Sequence, residues 1–171
     1  MVLTICIVVL GGYVVAAALS EPAGPPVGVA GVVVVRPLSG WISAETRSRP
    51  PRAPTFQLTR GNGNLIVSVR QPYGGDPETL AQRYRAFLSD RLSQLSVSSR
   101  LEPIRLRSGQ PGFRFAYIGV STDTGTSVEG EVTVFVTPSG HGIVFNGWAP
   151  AGLLSFVRSD VRTMVAEAEV T

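Results

Sequence analysis

The sequence predicts an α+β domain in which an antiparallel sheet of about six to seven strands is flanked by two helices and preceded by a single N-terminal transmembrane helix. Three observations predict this class. Apolar residues occupy every second position in three runs between residues 112 and 148, two further segments repeat apolar residues at the helical period, and residues 2–19 carry no charge.

Residues 1–20 are predicted to be a membrane anchor. The uncharged run of residues 2–19 is at the lower limit of the length with which a helix crosses about 30 Å of hydrocarbon, so we expect it to contact the lipid bilayer. The alternative is a signal peptide cleaved at the alanines 16–18, although the apolar core of such a peptide is usually about 7–15 residues long.

The type of this segment, more than its flanking charges, predicts where the domain lies. The nearest charges, Glu21 and Arg36, are too few to set an orientation. Because a long domain behind an N-terminal signal-like span is most often translocated, we expect a single-pass protein of the cell membrane with an extracytoplasmic C-terminal domain. Cleavage of the leader would instead give a secreted protein.

Residues 21–31 are rich in proline, glycine and alanine, which is typical of a tether, and residues 32–171 are predicted to form the extracytoplasmic domain. The four valines at 32–35 indicate a first strand. The runs TFQLT and NLIVSV flank Gly61 and Asn62, and this arrangement predicts a hairpin because these residue types suit a tight turn.

The first helix is predicted to begin at Asp76, whose side chain caps the N-terminus, with Pro77 in the first turn. Its apolar residues fall on one arc of a helical wheel. They are Leu80, Ala81, Tyr84, Phe87, Leu88, Leu92 and Leu95. Arg91 interrupts this stripe, and we interpret it as an arginine whose stem covers apolar surface while its head reaches water. A buried ion pair or a ligand contact is the alternative.

Residues 101–107 predict an amphipathic strand whose arginines and proline suit a sheet edge. The runs GFRFAYIGV, VEGEVTVFV and GIVFNGW follow as an antiparallel meander. In the middle run, Val132 and Val134 point to one face and Phe135 to the other, so we expect a helix on each face of the sheet.

A second helix is predicted from the apolar stripe that runs from Leu153 to Ala168, with Arg158 and Arg162 on its solvent side. Phe156 falls outside the stripe. We interpret it as an exposed aromatic side chain that is able to touch a partner or lipid.

Composition argues against nucleic acid as a partner. All 15 basic residues are arginine, as is typical of GC-rich bacterial coding sequences; they are scattered along the chain, and the net charge is only +3. The single cysteine, Cys6, lies in the predicted anchor, so the domain can form neither a disulfide nor a thiolate metal site.

We find no catalytic motif, and we therefore predict no enzyme activity, no metal site and no cofactor. His141 is the only histidine, so a zinc site would have to rely on carboxylates. Glu129 and Glu131 share one strand face, and we interpret them as solvated carboxylates instead of an acid/base pair or a cation site.

Five residues are candidates for interaction with other molecules. Tyr84, Phe87 and Trp148 are predicted to line a cleft between the first helix and the sheet, where a continuous apolar pocket would indicate a bound ligand. Arg91 within the apolar stripe and Phe156 outside the other stripe are the remaining two.

The order of elements, together with PLSGW at residues 37–41, the Asp76–Pro77 helix start and Gly147–Trp148, resembles the PsbP/Mog fold. This group takes in PsbP, the Ran-binding Mog protein and the LpqN-like envelope proteins of actinobacteria. The resemblance covers residues 32–170 and implies an α/β/α sandwich that binds or assembles other proteins. The actinobacterial members are typically lipoproteins, whereas the residues around Cys6 do not form a proper lipobox.

The expected function is therefore that of a membrane-anchored, non-enzymatic extracytoplasmic binding or accessory domain, with a protein partner in the envelope. It would be a subunit or assembly factor of a bacterial cell-envelope protein complex. The alternative is an envelope protein that binds a small ligand or a lipid.

Overall fold

Eleven strands and two α-helices make up the described part of the chain, residues 24–44 and 54–171 of the computed structural model. The strands are β1 Val27–Val29, β2 Val33–Val35, β3 Ile42–Ala44, β4 Thr55–Arg60, β5 Gly63–Arg70, β6 Leu92–Val97, β7 Glu102–Arg105, β8 Pro111–Ser121, β9 Ser127–Val136, β10 Gly142–Pro150 and β11 Glu169–Val170. The helices are α1 Pro77–Ser89 and α2 Arg158–Ala166, and a 3-10 turn, Leu154–Phe156, precedes α2.

The predicted membrane anchor, residues 1–20, lies outside the described residues. Within the ranges that are described, no helix is both long enough and apolar enough to cross a membrane.

The main sheet is antiparallel and has eight strands in the order β3-β4-β5-β10-β9-β8-β6, with β7 pairing beside β6 along the same edge of β8. The predicted hairpin and the predicted meander are both present. The predicted number of about six to seven strands is too low, because β3 and β6, which lacked a clear strand pattern, extend the two ends of the sheet.

A second, three-stranded sheet, β1-β2-β11, was not predicted. Val27–Val29 pairs with Val33–Val35, which in turn pairs with Glu169–Val170 at the other end of the chain. The valines predicted as the first strand of the main sheet therefore belong to this small sheet. Part of the predicted tether is likewise a strand of the folded domain.

Two apolar clusters fill the spaces on either side of the main sheet, and the central strands β9 and β10 contribute to both because their side chains alternate. Helix α1 covers one face, where Phe115, Val132 and Val134 are buried. Helix α2 and β2 cover the other face, where Phe135 and Phe145 are buried. The predicted arrangement of two helices flanking an antiparallel sheet is confirmed.

Helix α1 begins as predicted: Asp76 caps it by accepting a hydrogen bond from the backbone N–H of Thr79 at 2.8 Å. It ends at Ser89, so the prediction that the helical stripe continues through Leu92 to Leu95 is wrong. These leucines belong to β6, whose register against β8 slips by one residue between Ser93 and Ser96. This bulge turns both leucines towards the same apolar cluster, so their spacing of three imitates a helix.

The second predicted helix is shorter than its apolar stripe. Only Arg158–Ala166 is α-helical; the residues before it form the 3-10 turn, and those after Ala168 form β11. Leu154 and Ala168 are nevertheless buried in the same cluster as Val161 and Met164. The stripe therefore identified the buried side chains correctly, although not all of their backbone is helical.

Candidate functional site: a groove beside helix α1

A groove with a volume of about 510 Å³ runs between helix α1 and the main sheet. The helix packs over β8, β9 and β6. Beside it, side chains of β5 and β10 form the floor of the groove, and Tyr84, Phe87 and Leu88 form its helical wall.

Strand alternation places the floor residues. In β5 the odd positions Leu65, Val67 and Val69 are fully buried on the α2 side, so the even positions face the groove. The even positions of β10 lie beside them, since β5 and β10 are paired with Ser68 opposite Val144. The floor side chains are Ile66, Ser68 and Arg70 from β5, and Val144, Asn146 and Trp148 from β10.

Apolar side chains provide the larger share of the groove surface. They are Ile66, Phe87, Leu88, Leu92, Val128, Val144 and Trp148. Phe87 packs against Tyr84 with ring centroids 5.2 Å apart. An apolar share of this size suits a ligand with an apolar part.

Two tyrosines and one amide are among the polar groups of the groove, which Thr55, Ser68 and Ser121 also line. The Tyr117 hydroxyl donates a hydrogen bond to Asn146 Oδ1 at 3.0 Å. Burial raises the pKa of Tyr84 to about 12, and burial also raises the pKa of Tyr117 above its ordinary value. Both hydroxyls are therefore protonated at neutral pH and serve as hydrogen-bond donors, not as bases.

Two arginines, Arg70 and Arg91, also line the groove, and among the described residues neither forms an ion pair. Both positive charges act to lower the pKa of Tyr84, in opposition to its burial. The Arg91 guanidinium carbon lies 5.0 Å from the centre of the Phe87 ring. Asp123 is the one carboxylate that lines the groove.

Four of the five predicted interaction residues meet in this groove: Tyr84, Phe87, Arg91 and Trp148. The prediction that Arg91 interrupts a helical stripe is wrong. Arg91 follows the end of α1, and its side chain is exposed. Phe156 lies apart from the groove, in the 3-10 turn before α2, with 76% of its surface exposed.

Sequence reasoning missed Arg70, Tyr117 and Asn146 as residues of the site. The sequence did contain a signal for Asn146, which is an amide at an inward-facing position of an otherwise apolar strand. Arg70 ends β5 and had no such signal, because only the pairing of β5 with β10 brings it to the groove.

The two glutamates of β9 lie on the α2 side of the sheet and are not both solvated, so that interpretation is wrong. Glu131 is only 6% exposed; it accepts a hydrogen bond from Arg162 Nε at 2.9 Å and lies 3.6 Å from Arg114 Nη1. Hydrogen bonding to Glu131 raises the pKa of Arg162. Arg162, predicted to lie on the solvent side of the second helix, is thus also bound to a buried carboxylate. Glu129 accepts a hydrogen bond from the backbone N–H of Leu154 at 2.8 Å.

His141 lies at the far end of the meander from these carboxylates. Its Nδ1 is 2.9 Å from Ser139 Oγ in the turn before β10, whereas Glu131 is paired with Gly147, roughly 17 Å further along that strand. The described residues contain no group of three histidine, cysteine or acidic side chains arranged to hold a metal ion.

Comparison with solved structures shows a PsbP/Mog-like fold. The structure is similar to the solution structure of cyanobacterial PsbP (CyanoP) from Synechocystis sp. PCC 6803, with a TM-score of 0.62 and 15% identity, over 91% of this chain and 97% of that one. It is also similar to the Ran-binding protein Mog1p of Saccharomyces cerevisiae, with a TM-score of 0.55 and 12% identity, over 88% and 96% of the two chains. No family model and no curated protein sequence matches the chain. The resemblance found in the sequence is thus confirmed for the fold.

Proposed function

We propose that this chain is a non-enzymatic binding domain of the bacterial cell envelope that holds a small apolar or lipid-like ligand in the groove beside α1. The observation that carries the proposal is the groove itself: about 510 Å³ of space with a mostly apolar lining. Sites for small molecules commonly have volumes of about 300–1,000 Å³ and this kind of lining, with a few polar groups that orient the ligand.

The chemistry of the groove favours binding over catalysis. A general base works best with a pKa near the ambient pH, whereas the pKa of Tyr84 is raised to about 12. The imidazole of His141 and the carboxylate of Glu131 belong to other parts of the fold and are held by hydrogen bonds there.

Membrane attachment is part of the same proposal. Residues 2–19 would anchor the chain as a single span, with the domain outside the cytoplasm, or would be cleaved to release a secreted domain. We propose further that, within the PsbP/Mog fold that PLSGW at residues 37–41 indicates, the chain resembles the LpqN-like envelope proteins of actinobacteria, because its arginine-only basic composition is typical of GC-rich bacterial coding sequences. Protease added to spheroplasts should digest the domain, and protection of the domain would contradict this orientation.

Ligand binding can be tested with the full chain in phosphatidylcholine vesicles. Alkyl amphiphiles with a terminal bromine quench tryptophan by contact, and of the two tryptophans only Trp148 lines the groove, since Trp41 is buried on the α2 side. We expect saturable quenching that is lost in Trp148→Phe.

A matched pair of variants makes this test specific to the groove. Ile66→Trp fills the floor, whereas Ile118→Trp places the same bulk at a position that is 46% exposed and does not line the groove. We expect Ile66→Trp to lose at least tenfold in affinity for the amphiphile and Ile118→Trp to lose none. Binding is measured by calorimetry, because the tryptophan that each variant adds would change the fluorescence signal. Equal affinities would contradict the proposal.

The second candidate function is that of an accessory subunit or assembly factor of an envelope protein complex. It is favoured by the exposure of Phe156 and Ile118, which are large apolar side chains on the surface. The fold neighbour Mog1p binds a protein, Ran. Mild detergent extraction should then show a larger assembly that Phe156→Ser weakens, and a lone monomer would contradict this function.

A further inference from the structure

We infer that the ligand of the groove is a single-chain amphiphile with an anionic head group, and that Arg70 and Arg91 hold this head beside Tyr84. The inference rests on the proposed function and adds the chemical class of the ligand. It depends on the charges around the groove, and not on its volume alone.

Two cations reach the groove. Arg70 ends the row of β5 side chains that form the floor, and Arg91 follows α1, which forms the wall, so the two reach the groove from different sides. Neither forms an ion pair among the described residues, unlike Arg114 and Arg162, which are both paired with Glu131. Both are therefore free to pair with a ligand anion.

Both cations line the same groove as Tyr84, whose protonated hydroxyl can donate a hydrogen bond. A carboxylate or phosphate beside this hydroxyl would therefore meet a neutral donor and two guanidinium groups. Guanidinium groups bind such anions through charge-assisted hydrogen bonds, and both arginines are exposed and so accessible to a ligand.

The balance of charge in the groove also favours an anion. Asp123 is the only carboxylate among the lining residues, and it lies more than 4.0 Å from any arginine nitrogen of the described chain. With both tyrosines neutral, two positive charges face one negative charge. A cationic head group would have to approach both arginines, which is unfavourable.

The remaining groove suits one hydrocarbon chain. The apolar side chains of Ile66, Val144 and Trp148 line the groove and would contact the chain. The volume of about 510 Å³ lies in the lower half of the range for small-molecule sites, which suits one chain with its head better than a lipid with two chains.

The test uses three amphiphiles with the same alkyl chain and a terminal bromine: dodecanoate, dodecanol and dodecyltrimethylammonium. Each is titrated below its micellar concentration against the full chain in phosphatidylcholine vesicles, with free concentrations corrected by partition into protein-free vesicles. Quenching of Trp148 reports binding. We expect dodecanoate to bind at least tenfold more tightly than dodecanol and the cation to bind most weakly. Inorganic phosphate or acetate alone should not displace dodecanoate at equal concentration, because they lack the chain.

Variants separate the charge effect from general damage to the domain. We expect Arg70→Gln and Arg91→Gln each to weaken dodecanoate binding by about three- to tenfold and to leave dodecanol binding unchanged. Arg158→Gln removes an exposed arginine that does not line the groove and should change neither. Higher salt should weaken binding of the anion alone.

The outcomes distinguish this inference from the proposed function. Equal affinity for dodecanoate and dodecanol, preference for the cation, or unchanged anion binding in both arginine variants would overturn the inference and leave a neutral-ligand groove. Displacement by phosphate or acetate alone would show an anion site that does not require a chain. Failure of all three amphiphiles to quench Trp148 would overturn the inference and the proposed function together.

Discussion

Tyr117 reaches across an intervening strand to donate its hydrogen bond to Asn146, over a distance of 3.0 Å. Tyr117 lies on β8 and Asn146 on β10, and β9 runs between these strands. The residue of β9 opposite Tyr117 is Gly130, and the Tyr117 ring occupies the space that a side chain there would fill. A glycine in the middle of β9 thus allows a hydrogen bond between β8 and β10 that crosses over β9.

We predict that Gly130→Ala lowers the free energy of unfolding by about 2 kcal/mol, because the new methyl group overlaps the Tyr117 ring and weakens its bond to Asn146. Denaturation followed by tryptophan fluorescence measures this loss. The control is Gly74→Ala, where nothing lies within 4 Å of the added carbon and the backbone is not left-handed. A comparable loss in both variants would show that glycine flexibility, and not the ring, is responsible.

Stability should fall as the pH rises from 10 to about 12. The pKa of Tyr84 is 10.0 without perturbation and is raised to about 12 in the fold, so in this interval the unfolded chain loses a proton that the folded chain keeps. Deprotonation then favours unfolding, whereas below pH 10 this tyrosine contributes no pH dependence. Denaturation at a series of pH values should show a shallower decline in Tyr84→Phe. An unchanged slope in that variant would mean that Tyr84 titrates normally.

We predict that Arg162→Met destabilises the fold by roughly 1–3 kcal/mol, because it leaves the buried Glu131 carboxylate with Arg114 alone, at 3.6 Å. The estimate is below the usual range for a fully buried pair since the Arg162 side chain is 45% exposed. Arg36→Met removes the partner of Glu169 from an exposed pair and should cost less than about 1 kcal/mol. Equal effects would show that the burial of Glu131 does not matter.

The bulge in β6 predicts a stabilising substitution. Gln94 has a φ of 50°, in the left-handed region that a side chain disfavours, so Gln94→Gly should raise the free energy of unfolding by about 1 kcal/mol. Gln82→Gly, at an exposed position inside α1, should lower it by a similar amount. If Gln94→Gly is instead as destabilising as Gln82→Gly, the strand does not depend on a left-handed residue there.

The candidate site was predicted in part. Tyr84, Phe87 and Trp148 were expected to line a cleft because the helical stripe and the strand alternation turn them towards each other, and the groove contains all three. The rest of the site was not predictable in this way. Arg70 and Asn146 become neighbours of Tyr84 only through the pairing of β5 with β10 and the position of α1 above them.

Elements with local signals could be predicted from the amino-acid sequence. Alternation within each run specified the meander and its two faces, and the cap at Asp76 with Pro77 specified where α1 begins. Only the tertiary structure decided the small sheet and the end of α1. Val33 and Val170 pair although most of the chain separates them, and Leu92 and Leu95 share a face only because β6 bulges against β8. Strands this short have too few residues to show a period, and their backbone hydrogen bonds depend on partners distant in the sequence.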